Sequence, residues 1–85
     1  MKKFQIKNGW IIYEYSDRNE YLLKSMKLSD VCMIIVTKRY TSIIPYCIKL
    51  YSTSSFDFEI TYKENELNEF NNDLKELQEL IFKLN

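Results

Sequence analysis

The hydrophobic period of this chain changes once, close to residue 63, and this change constrains the fold more than any other feature. Before it, apolar residues alternate with polar ones, most regularly in Phe56–Tyr62, and a period of two indicates strands. After it, apolar residues recur at spacings of three and four, which places them on one side of a helix. These residues are Leu67, Phe70, Leu74, Leu77, Ile81 and Leu84. The pattern predicts a β-sheet over 1–62 and one C-terminal helix over 64–84.

An Asn-Gly pair near the start predicts the first β-hairpin. A two-residue type I′ turn needs positive φ at both central positions, and Asn8-Gly9 is the preferred pair for it. The predicted register pairs Lys7 with Trp10, Phe4 with Tyr13 and Lys3 with Glu14.

Three further segments have the character of strands. Tyr21–Lys24 follows a polar turn, and Val31–Thr37 is a continuous apolar run that we expect to form a central strand buried on both faces. Ile43–Ser52 contains Pro45, which marks an edge, a bulge or the first turn of the strand. Together these segments predict a single α+β domain over 1–85. Its antiparallel, meandering sheet of five or six short strands packs against the C-terminal helix.

One stretch of this pattern carries a resemblance. It comprises Met26-Lys-Leu-Ser-Asp-Val31-Cys-Met-Ile-Ile-Val-Thr37, a following strand, a polar turn, Phe56-Asp-Phe-Glu-Ile60 and a helix that starts with acidic residues. Over residues 26–82 the chain resembles small uncharacterised sheet-plus-helix proteins of low-GC bacteria and their phages, some of them pleckstrin-homology-like. The resemblance implies a fold and a source, and supplies no functional residues.

The composition argues against catalysis. The chain lacks histidine, the commonest general base and the commonest transition-metal ligand, and its single glycine leaves no Gly-rich phosphate loop. Cys32 and Cys47 lie in apolar segments, where we expect buried, inert thiols that neighbour each other across a hairpin. A disulfide or a reactive thiol is the alternative. We therefore expect no enzyme activity, no cofactor and no metal.

Charge is unevenly distributed along a chain whose net charge is zero. Residues 1–55 carry nine basic against four acidic side chains, and residues 56–85 carry three against eight. Four helix acids form a stripe beside the apolar seam, and this stripe is either a solvated flank or a surface that docks on a basic partner.

Several apolar residues fall outside the predicted core. Leu80 and Phe82 lie off the helix seam, through fraying or through contact with another protein, and Trp10 and Ile12 lie on the hairpin face away from the apolar layer. The candidate partner-binding residues are Glu66, Glu69, Asp73, Glu76, Leu80, Phe82, Trp10 and Ile12.

The aromatic residues and the basic first segment suggest an alternative function, the binding of nucleic acid or nucleotide. Bases stack on aromatic side chains, and basic side chains contact phosphates. This function requires the basic residues to converge on one sheet face, with the acidic helix on the far side. The candidates are Lys2, Lys3, Lys7, Lys24, Lys27, Lys38, Arg39 and Lys49.

These observations favour a non-catalytic protein–protein interaction module. We expect a phage or mobile-element protein that binds a host protein and inhibits or modulates it, with anti-defence activity as one such role. We also expect a homodimer, because a 10.3 kDa domain has difficulty burying so much apolar surface alone. We expect a cytoplasmic protein without membrane contact, because no apolar segment follows Lys2 and Lys3 and none is long enough to span a bilayer.

Overall fold

The computed structural model describes residues 3–53 and 57–83. Its elements are β1 (Phe4–Lys7), β2 (Trp10–Ser16), β3 (Tyr21–Lys27), β4 (Val31–Lys38), β5 (Tyr46–Ser52), β6 (Asp57–Tyr62) and α1 (Leu67–Phe82). Short 3-10 turns, Leu28–Asp30 and Glu64–Glu66, precede β4 and α1. The predicted α+β class is confirmed. Lys2, Phe56 and Leu84, which the sequence predictions used, lie outside the described residues.

The strands form two antiparallel sheets, whereas the sequence predicted one. Sheet I has the order β1-β2-β3 and sheet II the order β4-β5-β6. The sheets separate at the turn Leu28–Asp30, where the chain leaves β3 and starts β4 without pairing the two strands. A single layer of six strands would leave much of its apolar face to be covered by one helix, whereas two layers bury their inner faces around one core.

The first hairpin has the predicted register. Asn8 and Gly9 have φ of 52° and 80°, as a type I′ turn requires, and Lys7 pairs with Trp10 and Phe4 with Tyr13. The described ladder ends at that last pair and does not include the predicted pair of Lys3 and Glu14, although both residues line one cavity beside it. The Lys3 ammonium instead lies 2.9 Å from the Glu66 carboxylate at the start of the helix.

The prediction that Val31–Thr37 forms a doubly buried central strand is wrong. β5 is the central strand of sheet II and alternates strictly between buried and half-buried residues, whereas β4 lies at the edge and exposes Met33, Ile35 and Val36. β5 also starts at Tyr46 and not at Ile43. Pro45 precedes it, and its carbonyl accepts the Arg39 N–H at 2.7 Å, which closes the loop.

The core lies where the inner faces of both sheets meet the helix. Tyr13 of sheet I contacts Phe58 of sheet II edge to face, with ring centroids 5.7 Å apart. Phe70 of α1 stacks on Tyr46 at 5.1 Å and meets Tyr62 edge to face at 5.5 Å. The residues that pack at this junction and are buried are Phe4, Ile11, Met26, Val31, Tyr46, Ile48, Leu50, Phe58, Ile60, Tyr62, Phe70 and Leu77. The helix is therefore an integral layer of the fold.

Candidate protein-binding surface

Exposed apolar side chains concentrate on β4 and on the loop that follows it. Met33 and Ile35 pair with Tyr51 and Lys49 of β5, on the face of sheet II that points away from the core, and are 48% and 40% exposed. Single exposed apolar residues are ordinary on protein surfaces, but a contiguous group of them marks an interaction site. This group was missed in the sequence because a continuous apolar run is equally typical of a buried strand.

The loop 39–45 follows β4 and exposes three further apolar side chains, of which Ile44 lies over the outer face of sheet II. Tyr40 and Ile43 are 81% and 89% exposed, and Ile44 is also exposed. The loop is held by the Arg39 to Pro45 hydrogen bond and by the Ile44 N–H, which donates to the Ser42 hydroxyl at 3.2 Å. We call Met33, Ile35, Tyr40, Ile43 and Ile44 the outer apolar patch.

A cavity of about 140 Å³ lies between this loop and the outer face of sheet II. Ser42 and Ile44 of the loop line it from one side, and Cys47, Lys49 and Glu59 of the sheet line it from the other. The Lys49 ammonium lies 3.7 Å from Asp57 and 3.8 Å from Glu59, so a charged network borders the patch on the β6 side. An apolar centre with a charged border is the usual composition of a protein-binding surface.

The two cysteines differ from the prediction of buried neighbours. Cys32 is exposed at a β-bulge between Val31 and Met33, and Cys47 is half-buried opposite Thr37, so the register separates them along the ladder. Both thiols are free. Burial, and next the negative charge of Glu59, raise the pKa of the Cys47 thiol to about 11, which disfavours the thiolate.

The four helix acids do not form the exposed stripe that the helical period predicted. Asp73 is only 6% exposed and accepts a hydrogen bond from the Tyr62 hydroxyl at 2.7 Å, which contradicts its assignment to a docking surface. Glu66 is partly buried and accepts the Lys63 N–H at 2.7 Å besides its ion pair with Lys3. Glu69 and Glu76 are also partly buried. Two of these carboxylates therefore hold the helix to the sheets.

The apolar candidates lie on separate surfaces. Leu80 and Phe82 are exposed near the end of α1, as expected. Trp10 is exposed and Ile12 half-buried on the outer face of sheet I, the predicted side of the hairpin. There the surroundings are polar, since the Lys27 ammonium lies 5.7 Å from the centroid of the Trp10 ring.

The basic candidates do not converge on one sheet face, which the nucleic-acid function requires. Lys7 and Lys27 flank Trp10 on the outer face of sheet I, whereas Lys49 is on the outer face of sheet II with its two acidic partners. Lys38 lies 5.9 Å from the Phe70 ring, on the helix side of sheet II.

The remaining basic candidates are equally dispersed. Lys24 pairs with Tyr13 in the β2–β3 ladder, so Lys24 lies on the face of sheet I that is directed toward the core. Lys3 binds Glu66 and Arg39 lies in the loop, while Lys2 is outside the described residues.

Comparisons with known proteins add no relative. No family model, curated protein or solved structure matches this chain. Within residues 3–53 and 57–83, no three side chains of the metal-binding types come together as a metal site would require. In the same residues, no helix has the length and apolar character needed to cross a membrane.

Proposed function

We propose that this protein is a non-catalytic protein–protein interaction module and that the outer apolar patch is its binding surface. The observation that carries this proposal is the concentration of exposed apolar side chains in residues 33–44, beside a charged network on the same face. Burying such side chains in an interface releases about 25 cal/mol per Å² of apolar surface before the costs of association.

Two features favour the patch over the outer face of sheet I. In sheet I, Trp10 lies beneath Lys27, and the Tyr21 hydroxyl donates to the Glu14 carboxylate at 2.7 Å, so polar groups already contact the aromatic residues. In the patch, Tyr40 and Ile43 project almost fully into solvent from a loop closed by its own hydrogen bonds. A preordered loop loses little conformational entropy on binding.

The partner remains a prediction. The resemblance to proteins of low-GC bacteria and their phages suggests that the partner is a protein of the host of a phage or mobile element. The predicted result of binding is inhibition or modulation of that host protein. The polar border of the patch includes Lys49, Asp57 and Glu59, so we expect a partner with an apolar centre and charges of both signs around it.

Affinity capture with paired variants tests this function. Ile43→Lys places a charge in the patch, and Leu23→Lys places one at an exposed apolar position on β3 of sheet I. We expect the parent protein and Leu23→Lys to retain the same stoichiometric partner from a low-GC host lysate and Ile43→Lys to lose it. Capture by Ile43→Lys with loss by Leu23→Lys would place the binding surface on sheet I, and recovery of nucleic acid alone would favour the alternative function.

A further inference from the structure

The free edge of β4 differs from the other three sheet edges. β3 carries Lys24 and Lys27 and β6 carries Asp57 and Glu59, while β1 is only four residues long. Charged side chains and short strands protect an edge from pairing with another chain. β4 is eight residues long, and its first seven, Val31–Thr37, are uncharged. By this criterion β4 is the least protected edge among the described strands.

We infer that the edge of β4 pairs with β4 of a second copy, antiparallel about a twofold axis at Ile34. In such a pair, residues that face each other lie on the same side of the joined sheet. Met33 of each copy would then lie opposite Ile35 of the other, and both residues are on the outer face of sheet II. The pairing would join two three-stranded sheets into one of six strands.

The charges at the two ends of β4 are complementary in this arrangement. Exposed Asp30 precedes the strand and exposed Lys38 ends it. Antiparallel pairing about Ile34 brings Asp30 of one copy within one residue of Lys38 of the other, after allowance for the bulge beside Cys32. Opposite charges this close together at the strand ends would attract each other, and like charges would repel each other. The twofold axis gives two such contacts for each dimer.

The second copy also has a consequence for the outer apolar patch. Met33 and Ile35 of both copies would form one apolar group at the centre of the joined sheet, with a loop 39–45 on either side. The dimer would therefore present two binding loops to its partner. Two linked sites bind a divalent or repeated partner more tightly than either site alone.

Variants that reverse the charge of Asp30 or Lys38 test the paired edge, and sedimentation measures whether each variant is a monomer or a dimer. We expect the parent protein to sediment at twice 10.3 kDa at tens of micromolar. Asp30→Lys and Lys38→Asp each place like charges at both ends of the paired strands, so each variant alone should associate at least tenfold more weakly. Mixing the two variants restores opposite charges at both ends and should give a heterodimer, and the double variant should dimerise by itself. Recovery in these two samples also shows that the variants are folded.

Several outcomes overturn this inference. The inference is wrong if the parent protein has the mass of a monomer or if either charge-reversal variant alone dimerises as strongly as the parent. It is also wrong if the mixture of the two variants stays monomeric. If the parent protein is a monomer and Ile43→Lys fails to capture the partner that the parent captures, the paired edge is overturned and the proposed function is supported. If the mixture of Asp30→Lys and Lys38→Asp forms a dimer but the Ile43→Lys variant still captures the partner, the paired edge is supported. The assignment of the outer apolar patch as the binding surface is then overturned.

Discussion

The two thiols illustrate how the position of a side chain in the sheet determines its chemistry. Cys47 is half-buried beside Glu59 with a pKa raised to about 11, and Cys32 is exposed at the bulge. Relative to the ordinary value of 9.0, the Cys47 thiolate population at pH 8 is about a hundredfold smaller. In Cys32→Ser, we expect Cys47 to be alkylated about a hundredfold more slowly in the folded protein than in denaturant.

The matched variant Cys47→Ser leaves Cys32 as the reporter. Because Cys32 is exposed, we expect its alkylation rate in the folded and denatured protein to agree within about tenfold. Equal protection of both thiols in the folded protein would contradict the placement of β4 at the sheet edge.

The hydrogen bond between Tyr62 and Asp73 is a buried polar contact that ties the helix to sheet II. Tyr62 is fully buried, and its burial and hydrogen bond to Asp73 raise the pKa of the phenol well above its usual range. Tyr62→Phe should lower the free energy of unfolding by about 1–3 kcal/mol, because a buried acceptor loses a hydrogen-bond donor. Tyr21→Phe removes an exposed hydrogen bond of the same length, to Glu14, and should change stability by about 0.5 kcal/mol or less. Equal denaturant midpoints for the two variants would contradict this account.

At the scale of elements, we predict that the apolar side chains on the buried side of the helix stabilise the domain and that those on its exposed side do not. Leu77 is fully buried and Leu80 is exposed three residues later, so Leu80 is a matched control for Leu77 on the same helix. Leu77→Ala should lower the free energy of unfolding by about 2–5 kcal/mol, a large share of what a domain of this length possesses. Leu80→Ala should change it by about 0.5 kcal/mol or less. Thermal melts in which both variants match the parent would indicate a helix that is detached from the sheets.

The start of the helix gives the fold a dependence on pH. The Lys63 N–H, followed by the ammonium of Lys3, holds the pKa of the Glu66 carboxyl below its ordinary value of 4.5. A carboxyl with a lowered pKa in the folded state stabilises it above about pH 4.5, and this contribution is lost as the pH falls through the lowered value. We expect Glu66→Gln to reduce the loss of stability between pH 6 and pH 3, measured by denaturant titration. Glu64→Gln, at the exposed start of the same turn, should keep the parent profile.

The elements differ in how far the sequence determines them. The Asn8-Gly9 turn, the alternating strand β6 and the helical seam follow from local periodicity and turn chemistry. The described residues agree with them except Leu67, which is exposed at the start of the helix. The position of β4 depends on which strand pairs with it, and an apolar run carries no information about that choice. The outer apolar patch was missed for this reason, and the burial of Asp73 was missed because its partner Tyr62 lies on another element.

At the scale of the whole molecule, two thin sheets and one helix enclose a core too small to bury all the apolar side chains. The exposed apolar side chains are unevenly distributed, and β4 and the loop 39–45 carry more of them than any other segment of the described residues. Charged residues on β3 and β6 protect those edges from pairing, and we therefore propose β4 and its loop as the surface for association.

Backbone deuterium exchange of the protein, alone and with the captured partner, tests the central claim most directly. We predict that binding slows exchange in the loop 39–45 and leaves residues 10–16 and 21–27 of sheet I unchanged, because the loop carries Tyr40, Ile43 and Ile44. Unchanged exchange in 39–45 together with slowed exchange in 10–16 or 21–27 would contradict it, since the partner would then occupy the outer face of sheet I.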